Sequence, residues 1–197
     1  MRTTNPDFPP AMTRRFRDYL LENVYLRATE VQRSEIIALW QGEGVVRDAG
    51  ERERRSHEAV FLIRAPAGEL AGLSTVGLAR VEAGRTFYAY RMFLRKRDRI
   101  PNLMVAVVIA TREFLRDFKH PELRPAGILH VNENPKLMRP GARRLFARFG
   151  YRFWGKTADG QDVWAAEFAE PNAGTPCGMA GSREQPAAEG DALGKGF

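Results

Sequence analysis

Apolar positions change period several times along this chain, and each change predicts an element. Phe16, Tyr19 and Leu20 fall at helical spacing behind Thr13, a capping residue type, which predicts a short helix over Arg14–Glu22. Asn23–Ala28 (NVYLRA) is short, β-branched and aromatic, and predicts a strand. Thr29 and Glu30 open a helix expected to run to about Gln41, with Val31, Ile36, Leu39 and Trp40 facing the core and Gly42 or Gly44 stopping it. Arg47–Glu58 (RDAGERERRSHE) is densely charged and almost free of apolar side chains. It is expected to be a solvated loop, or alternatively a mobile lid over a substrate groove.

Three strands follow: Ala59–Arg64 (AVFLIR), Leu70–Glu82 and Thr86–Leu94 (TFYAYRMFL). The turns Pro66-Ala67-Gly68-Glu69 and Ala83-Gly84 join them into an antiparallel meander. The third strand runs into Arg95-Lys96-Arg97-Asp98-Arg99, then Ile100-Pro101-Asn102, then an apolar helix from Leu103 to about Phe118. A strand over Gly127–Asn132 (GILHVN) is separated from its predecessor by that helix, which predicts a parallel crossover. Pro140 opens the next helix, Ala142, Leu145, Phe146 and Phe149 form its buried stripe, and Gly150 ends it. Tyr151–Gly155 and Asp162–Phe168 make a closing hairpin. Residues 1–11, with three prolines, read as a loose lead-in, and residues 170–197 as a disordered tail rich in Gly, Pro and Ala. The predicted organisation is an extension over 1–22 carrying a short helix, a folded domain over 23–169, and the tail.

Composition narrows the function class. At 197 residues, 44% hydrophobic and 28% charged, the chain has the make-up of a single soluble domain with a real core. Its longest apolar run, Leu103–Ala110, has eight residues, far short of the ~20 needed to span a bilayer, and the N-terminus carries no continuous apolar segment of the secretory kind. One cysteine, Cys177, excludes an internal disulfide, so a cytoplasmic setting is the default expectation. The net charge of +7 favours an anionic partner: a phosphorylated cofactor, a nucleic acid or an acidic protein. Positive charge is concentrated where the third meander strand hands over to a helix N-terminus, a place suited to a pyrophosphate.

The order strand, helix, three-stranded meander, helix, strand, helix, hairpin, with a basic turn after the third meander strand, resembles the GNAT superfamily of N-acetyltransferases over roughly residues 23–168. Two local signatures carry the resemblance. Arg99-Ile100-Pro101-Asn102-Leu103-Met104, preceded by Leu94, is similar to the family's strand–turn–helix phosphate motif. Leu145-Phe146-Ala147-Arg148-Phe149-Gly150-Tyr151 is similar to its Leu-Tyr-x-x-x-Gly-Phe helix ending. The resemblance implies a mixed α/β (α+β) central sheet, an antiparallel meander plus one parallel crossover strand, with helices on both faces. It also implies acetyl-CoA or another acyl-CoA as co-substrate and no metal. Arg95, Arg97, Arg99, Asn102, Leu103 and Met104 would then meet the pyrophosphate, the backbone near Phe93 and Leu94 the pantetheine amides, and Asn132 and Asn134 the pantetheine arm. The chain departs from the pattern twice. Asn102 and Met104 stand where the family has glycines, and Phe146 stands where many members carry a tyrosine that protonates the departing thiolate.

Acetyl transfer to an amine needs a neutral amine, a route for its proton and donors at the thioester oxygen, with no covalent enzyme intermediate. Glu58, His130, Tyr88 and Tyr90 are the candidates for proton handling, with Tyr90 as a relocated acid. Strand alternation puts Tyr88, Tyr90 and Met92 on one face. His57, His120 and His130 are too scattered for a metal site. The leading expectation is an acyl-CoA-dependent N-acyltransferase acting on an unidentified amine. Met92, Met104 and Phe146 leave open longer acyl chains, delivered by acyl-CoA or by an acyl carrier protein with an acidic surface. A catalytically degenerate binding or structural relative of the fold is the alternative. Nucleic-acid binding through Arg14, Arg15, Arg17, Arg52, Arg54, Arg55, Arg143, Arg144 and Arg148 ranks last, because aromatic residues for stacking on bases are not obviously interleaved with these arginines. Homodimers are common in the family, and the sequence leaves that state open.

Overall fold

A computed structural model describes residues 12–81, 84–120 and 122–168. The predicted lead-in and the tail with Cys177 lie outside the described residues. The strands are β1 (Thr13–Phe16), β2 (Tyr19–Asn23), β3 (Ala59–Arg64), β4 (Leu70–Arg80), β5 (Thr86–Leu94), β6 (Gly127–Val131), β7 (Arg152–Lys156) and β8 (Asp162–Glu167). The α-helices are α1 (Glu30–Glu43), α2 (Ala49–Ser56), α3 (Leu103–Asp117) and α4 (Pro140–Arg148). All eight strands join one mixed sheet in the order β1-β2-β3-β4-β5-β6-β8-β7, with one parallel pair. No helix among the described residues is long and apolar enough to cross a membrane.

Contacts group the chain into two compact units. The first is drawn from within Met1–Leu78 and Ala89–Leu123, the second from within Ala79–Tyr88 and Arg124–Phe197. In the first unit, Phe61 and Leu62 point to opposite faces of β3. On one face Ile36 and Trp40 of α1 join Leu62, Leu70 and Leu73 in a buried cluster. On the other, Phe114 of α3 meets Phe61 edge to face at 6.1 Å, and Thr111 hydrogen-bonds Ser74 at 3.0 Å. Helices therefore cover both faces of this part of the sheet. Phe87, Tyr88, Ala89 and Tyr90 of β5 are all buried, so alternation does not separate a wet face from a dry one there.

Local chemistry explains the element ends. Thr29 and Gln32 form a reciprocal capping box on α1, and Gly44 ends it in the left-handed conformation at φ 63°. Gly150, at φ 75°, follows α4 in a Schellman arrangement: its amide donates to Ala147 and that of Tyr151 donates to Phe146, each at 3.0 Å.

Two element assignments are corrected, and Val31 and Leu145, expected on buried faces of α1 and α4, are exposed. Thr13–Asn23 is not a helix but the β1–β2 hairpin, in register Thr13↔Glu22 to Phe16↔Tyr19, and Asn23–Ala28 is its exit and a turn, not a strand of its own. Burial in β2 follows period two through Tyr19, Leu21 and Asn23, which wins over the i, i+3, i+4 coincidence of Phe16, Tyr19 and Leu20. Arg47–Glu58 is not a loop, because Ala49–Ser56 is helical. The Asp48 carboxylate caps α2 by accepting from the Glu51 amide at 2.7 Å, and Glu51 pairs with Arg54 at 2.9 Å and with Arg55. Capping and ion pairs supply here what apolar periodicity does not.

Two outcomes follow. A Cβ at Gly72 would lie 2.3 Å from the Phe93 carbonyl oxygen and 3.0 Å from the Leu94 Cα, both backbone atoms. Gly72→Ala should cost about 1–3 kcal/mol in denaturant unfolding, through forced separation of β4 and β5. Second, the Arg54 guanidinium, against partial burial and with help from Arg55, holds the Glu51 carboxyl at about 2, below its ordinary value. The stabilisation from Glu51 is complete above the unfolded carboxyl's pKa of about 4.3 and is lost as pH falls toward 2. Thermal melts should show wild type exceeding Glu51→Gln at pH 6, with the gap closing by pH 2.5.

Candidate functional site

The junction from β5 to α3 is held by a run of backbone and side-chain hydrogen bonds. Arg95 continues the sheet, its amide donating to Ala71 at 2.9 Å. A single 3-10 turn, Lys96–Asp98, then folds back, the Asp98 amide donating to Arg95 at 3.0 Å and the Ile100 amide to Asp98 at 2.8 Å. Asn102 stands at φ 66°, ψ −2° as the N-cap of α3. That is left-handed backbone, which Asn tolerates better than most non-glycine residues, so Asn102 meets the demand for which glycine is the usual solution. Its side chain makes no capping hydrogen bond, and no acidic residue lies in the first turn. The Leu103 amide donates to Ile100 at 3.3 Å, and the Met104 and Val105 amides come next in the uncapped turn. Leu103 is buried, whereas Met104 is 38% exposed.

The charged side chains of this turn divide their work. Arg95 is 8% exposed and directs its guanidinium inward, Nε to Asp98 Oδ2 at 2.7 Å and a terminal nitrogen to Glu69 at 3.3 Å. Burial opposes that charge, but the two carboxylates outweigh it and the Arg95 pKa is raised. Arg97 is solvent-facing and reaches Glu69 at 3.4 Å. Arg99 donates from Nε to the Leu94 carbonyl at 3.0 Å, and no carboxylate among the described residues pairs with its charge. Lys96 is exposed. The sequence treats Arg95, Arg97 and Arg99 alike; the structure separates a buried structural cation from exposed ones.

Three more nominated residues belong to this unit. Tyr90 is buried in β5, 4% exposed, and Phe93 packs against the α1 cluster. Glu58 directly precedes β3. Its Oε1 accepts from Arg54, and its Oε2 is buried with no hydrogen-bond partner among the described residues. Gly77 makes room for it, since a Cβ there would lie 3.2 Å from Oε1.

The second unit holds His130, Asn132, Asn134 and Phe146. His130 and Asn132 face the same side of the β6–β8 ladder, opposite Trp164 and Asp162. The Phe146 ring of α4 stacks between His130 at 5.4 Å and Trp164 at 5.2 Å, with interplanar angles of 25° and 20°. Asn132 is fully buried. Its amide donates to the Asp162 carbonyl at 2.9 Å and its Nδ2 to the Leu137 carbonyl at 3.3 Å, and its Oδ1 has no partner among the described residues. Asn134 is exposed, and its carbonyl receives the Leu137 amide at 2.8 Å.

Residue types alone did not single out the acids that organise both units. Asp98 is the lone carboxylate among four cations, three residues after Arg95, a spacing that was a readable signal. Asp162, fully buried, accepts from Arg143 at 2.8 and 2.9 Å and from Lys156 at 2.8 Å. Burial raises its pKa, but Lys156 and Arg143 prevail and hold it below the ordinary carboxylate value. Of the arginines considered for nucleic acid, Arg14 pairs with Glu113, Arg54 and Arg55 with Glu51, and Arg143 with Asp162. Among the described residues no group of three His, Cys, Asp or Glu side chains could hold a metal.

No protein-family model matches the sequence, and no curated protein matches it either. Solved structures do match. An acetyltransferase of the GNAT family from Streptococcus pneumoniae superposes at a TM-score of 0.53 and 12% identity, over 76% of this chain and 99% of that one. Ribosomal-protein-S5-alanine acetyltransferase from Vibrio fischeri gives 0.53 and 11%, over 80% and 97%. A chain of the NatC complex bound to Gag peptide and CoA gives 0.52 and 12%, over 77% and 99%. Identities this low speak for architecture alone. The mixed sheet, its strand order and these superpositions together establish that the chain has the GNAT fold.

Proposed function

We propose that the protein is an acyl-CoA-dependent N-acyltransferase, passing an acetyl group directly from thioester to amine in a ternary complex. The observation that carries this reading is the β5–α3 junction: left-handed Asn102, an uncapped helix turn without acidic residues, and the exposed cations of Lys96 and Arg99 beside it. A helix N-terminus of this kind favours a diphosphate through amide donors and dipole together. Arg97 adds charge at the rim. Arg95 supports the turn from within and is not assigned to the ligand.

In the reaction the amine nitrogen forms a bond to the thioester carbon, the carbon–sulfur bond breaks, the amine gives up a proton and the thiolate takes one. CoA, when bound, supplies the thioester. His130, stacked on the hydroxyl-free Phe146, is the second unit's candidate for returning a proton to sulfur. Glu58, with one oxygen held by Arg54 and the other without a hydrogen-bond partner among the described residues, is the first unit's acceptor for the amine proton, and Tyr90 is the alternative acid for the thiolate. Asn132, whose Oδ1 lacks a donor among the described residues, and Asn134 are assigned to the amide-bearing pantetheine arm. A longer acyl group, from acyl-CoA or an acyl carrier protein, is the second reading within the same class.

Isothermal titration with CoA and acetyl-CoA tests the assignment. Binding at micromolar to sub-millimolar Kd is expected; none at millimolar ligand would overturn it, and binding without turnover over a panel of amines and acyl lengths would leave the degenerate alternative. Asn102→Gly should keep affinity. Asn102→Val should lose about 1–2 kcal/mol of stability to left-handed strain and weaken CoA binding in the same titration.

A further inference from the structure

Asp98 is buried to 5% exposure in the most basic stretch of the chain. A buried carboxylate is tolerated only with strong donors, and Asp98 has two from different elements. Its Oδ2 takes Arg95 Nε at 2.7 Å, and its Oδ1 takes the Tyr19 hydroxyl of β2 at 3.0 Å. Burial and the bond to Asp98 both raise the Tyr19 pKa, so the phenol stays a donor across physiological pH. Arg95 also reaches Glu69 at 3.3 Å. These residues all belong to one compact unit. β2 and the basic turn are thereby tied through Asp98, four residues before the left-handed Asn102, and Arg95 extends the link to Glu69 ahead of β4.

We propose that Asp98, clamped by Tyr19, is a positioning residue for diphosphate binding. It draws Arg95 into the protein and fixes the turn so that the first amides of α3, with Lys96 and Arg99, present to the ligand. The proposal rests on the acyl-CoA reading above and adds residues that do not touch the ligand. It makes a prediction of unusual sign. A carboxylate near a diphosphate repels it, so if Asp98 were only a counter-charge its neutralisation would tighten CoA. If Asp98 positions the turn, neutralisation weakens CoA despite the gain in positive charge.

The test is titration of CoA, and of pantetheine, which lacks the phosphates, into the full chain and its variants. Asp98→Asn should weaken CoA about tenfold and leave pantetheine within about twofold, and Tyr19→Phe, which changes no charge, should weaken CoA about threefold. In turnover the loss should fall on KM for acyl-CoA with kcat retained. Unchanged or tighter CoA binding in both variants, or equal loss of both ligands, would overturn the proposal. Should Asp98→Asn fail to fold, Tyr19→Phe carries the test alone. Wild-type protein that binds neither ligand would overturn the acyl-CoA reading and this assignment with it, an outcome separate from the variant-specific ones.

Discussion

The chain must end β5 and begin α3 within eight residues that carry four cations and one acid, and the hydrogen bonds of Asp98 make this arrangement stable. Four like charges in so short a span would splay the turn. One buried carboxylate takes Arg95 out of the solvent, borrows a phenol from β2 and leaves the backbone free to turn left-handed at Asn102. The helix that follows can then start without a side-chain cap. The same interaction therefore serves packing, by closing β2 against the turn, and chemistry, by leaving amide donors uncommitted.

The second unit reaches order by a comparable device. Asp162 is held by Arg143 from α4 and Lys156 from β7, while its own carbonyl receives the Asn132 amide. The aromatic rings of His130, Phe146 and Trp164 stack on the same side of the ladder. Phe146 carries no hydroxyl and contributes its ring to this packing, next to the intact helix ending. Burying polar atoms among rings usually demands complete pairing. Here Asn132 Oδ1 and Trp164 Nε1 are two of the buried side-chain atoms with no hydrogen-bond partner among the described residues, and both lie on this face.

Much of the architecture was legible because apolar content and punctuation agreed. The limits of β3 and β5 match their expected ranges, and Thr29, Gly44 and Gly150 behave as the cap and stops their chemistry suggests. The two misread elements have different causes. In the β1–β2 hairpin, Arg17 and Asp18 make the two-residue turn with Arg17 at φ 53°, and nothing in that dipeptide resembles the usual Asn-Gly. In α2, Asp48 and the ion pairs of Glu51 do the work without an apolar stripe. At the site, sequence grouped Arg95 with its neighbours because it registers charge and not direction. Only coordinates reveal that the first of these arginines faces Asp98.

The most direct measurement is a structure of the protein with CoA bound. The account predicts diphosphate oxygens within hydrogen-bonding distance of the Met104 and Val105 amides and of Lys96 or Arg99, with Arg95 still on Asp98. A diphosphate seated elsewhere, or Arg95 released from Asp98 to grip it, would contradict the account.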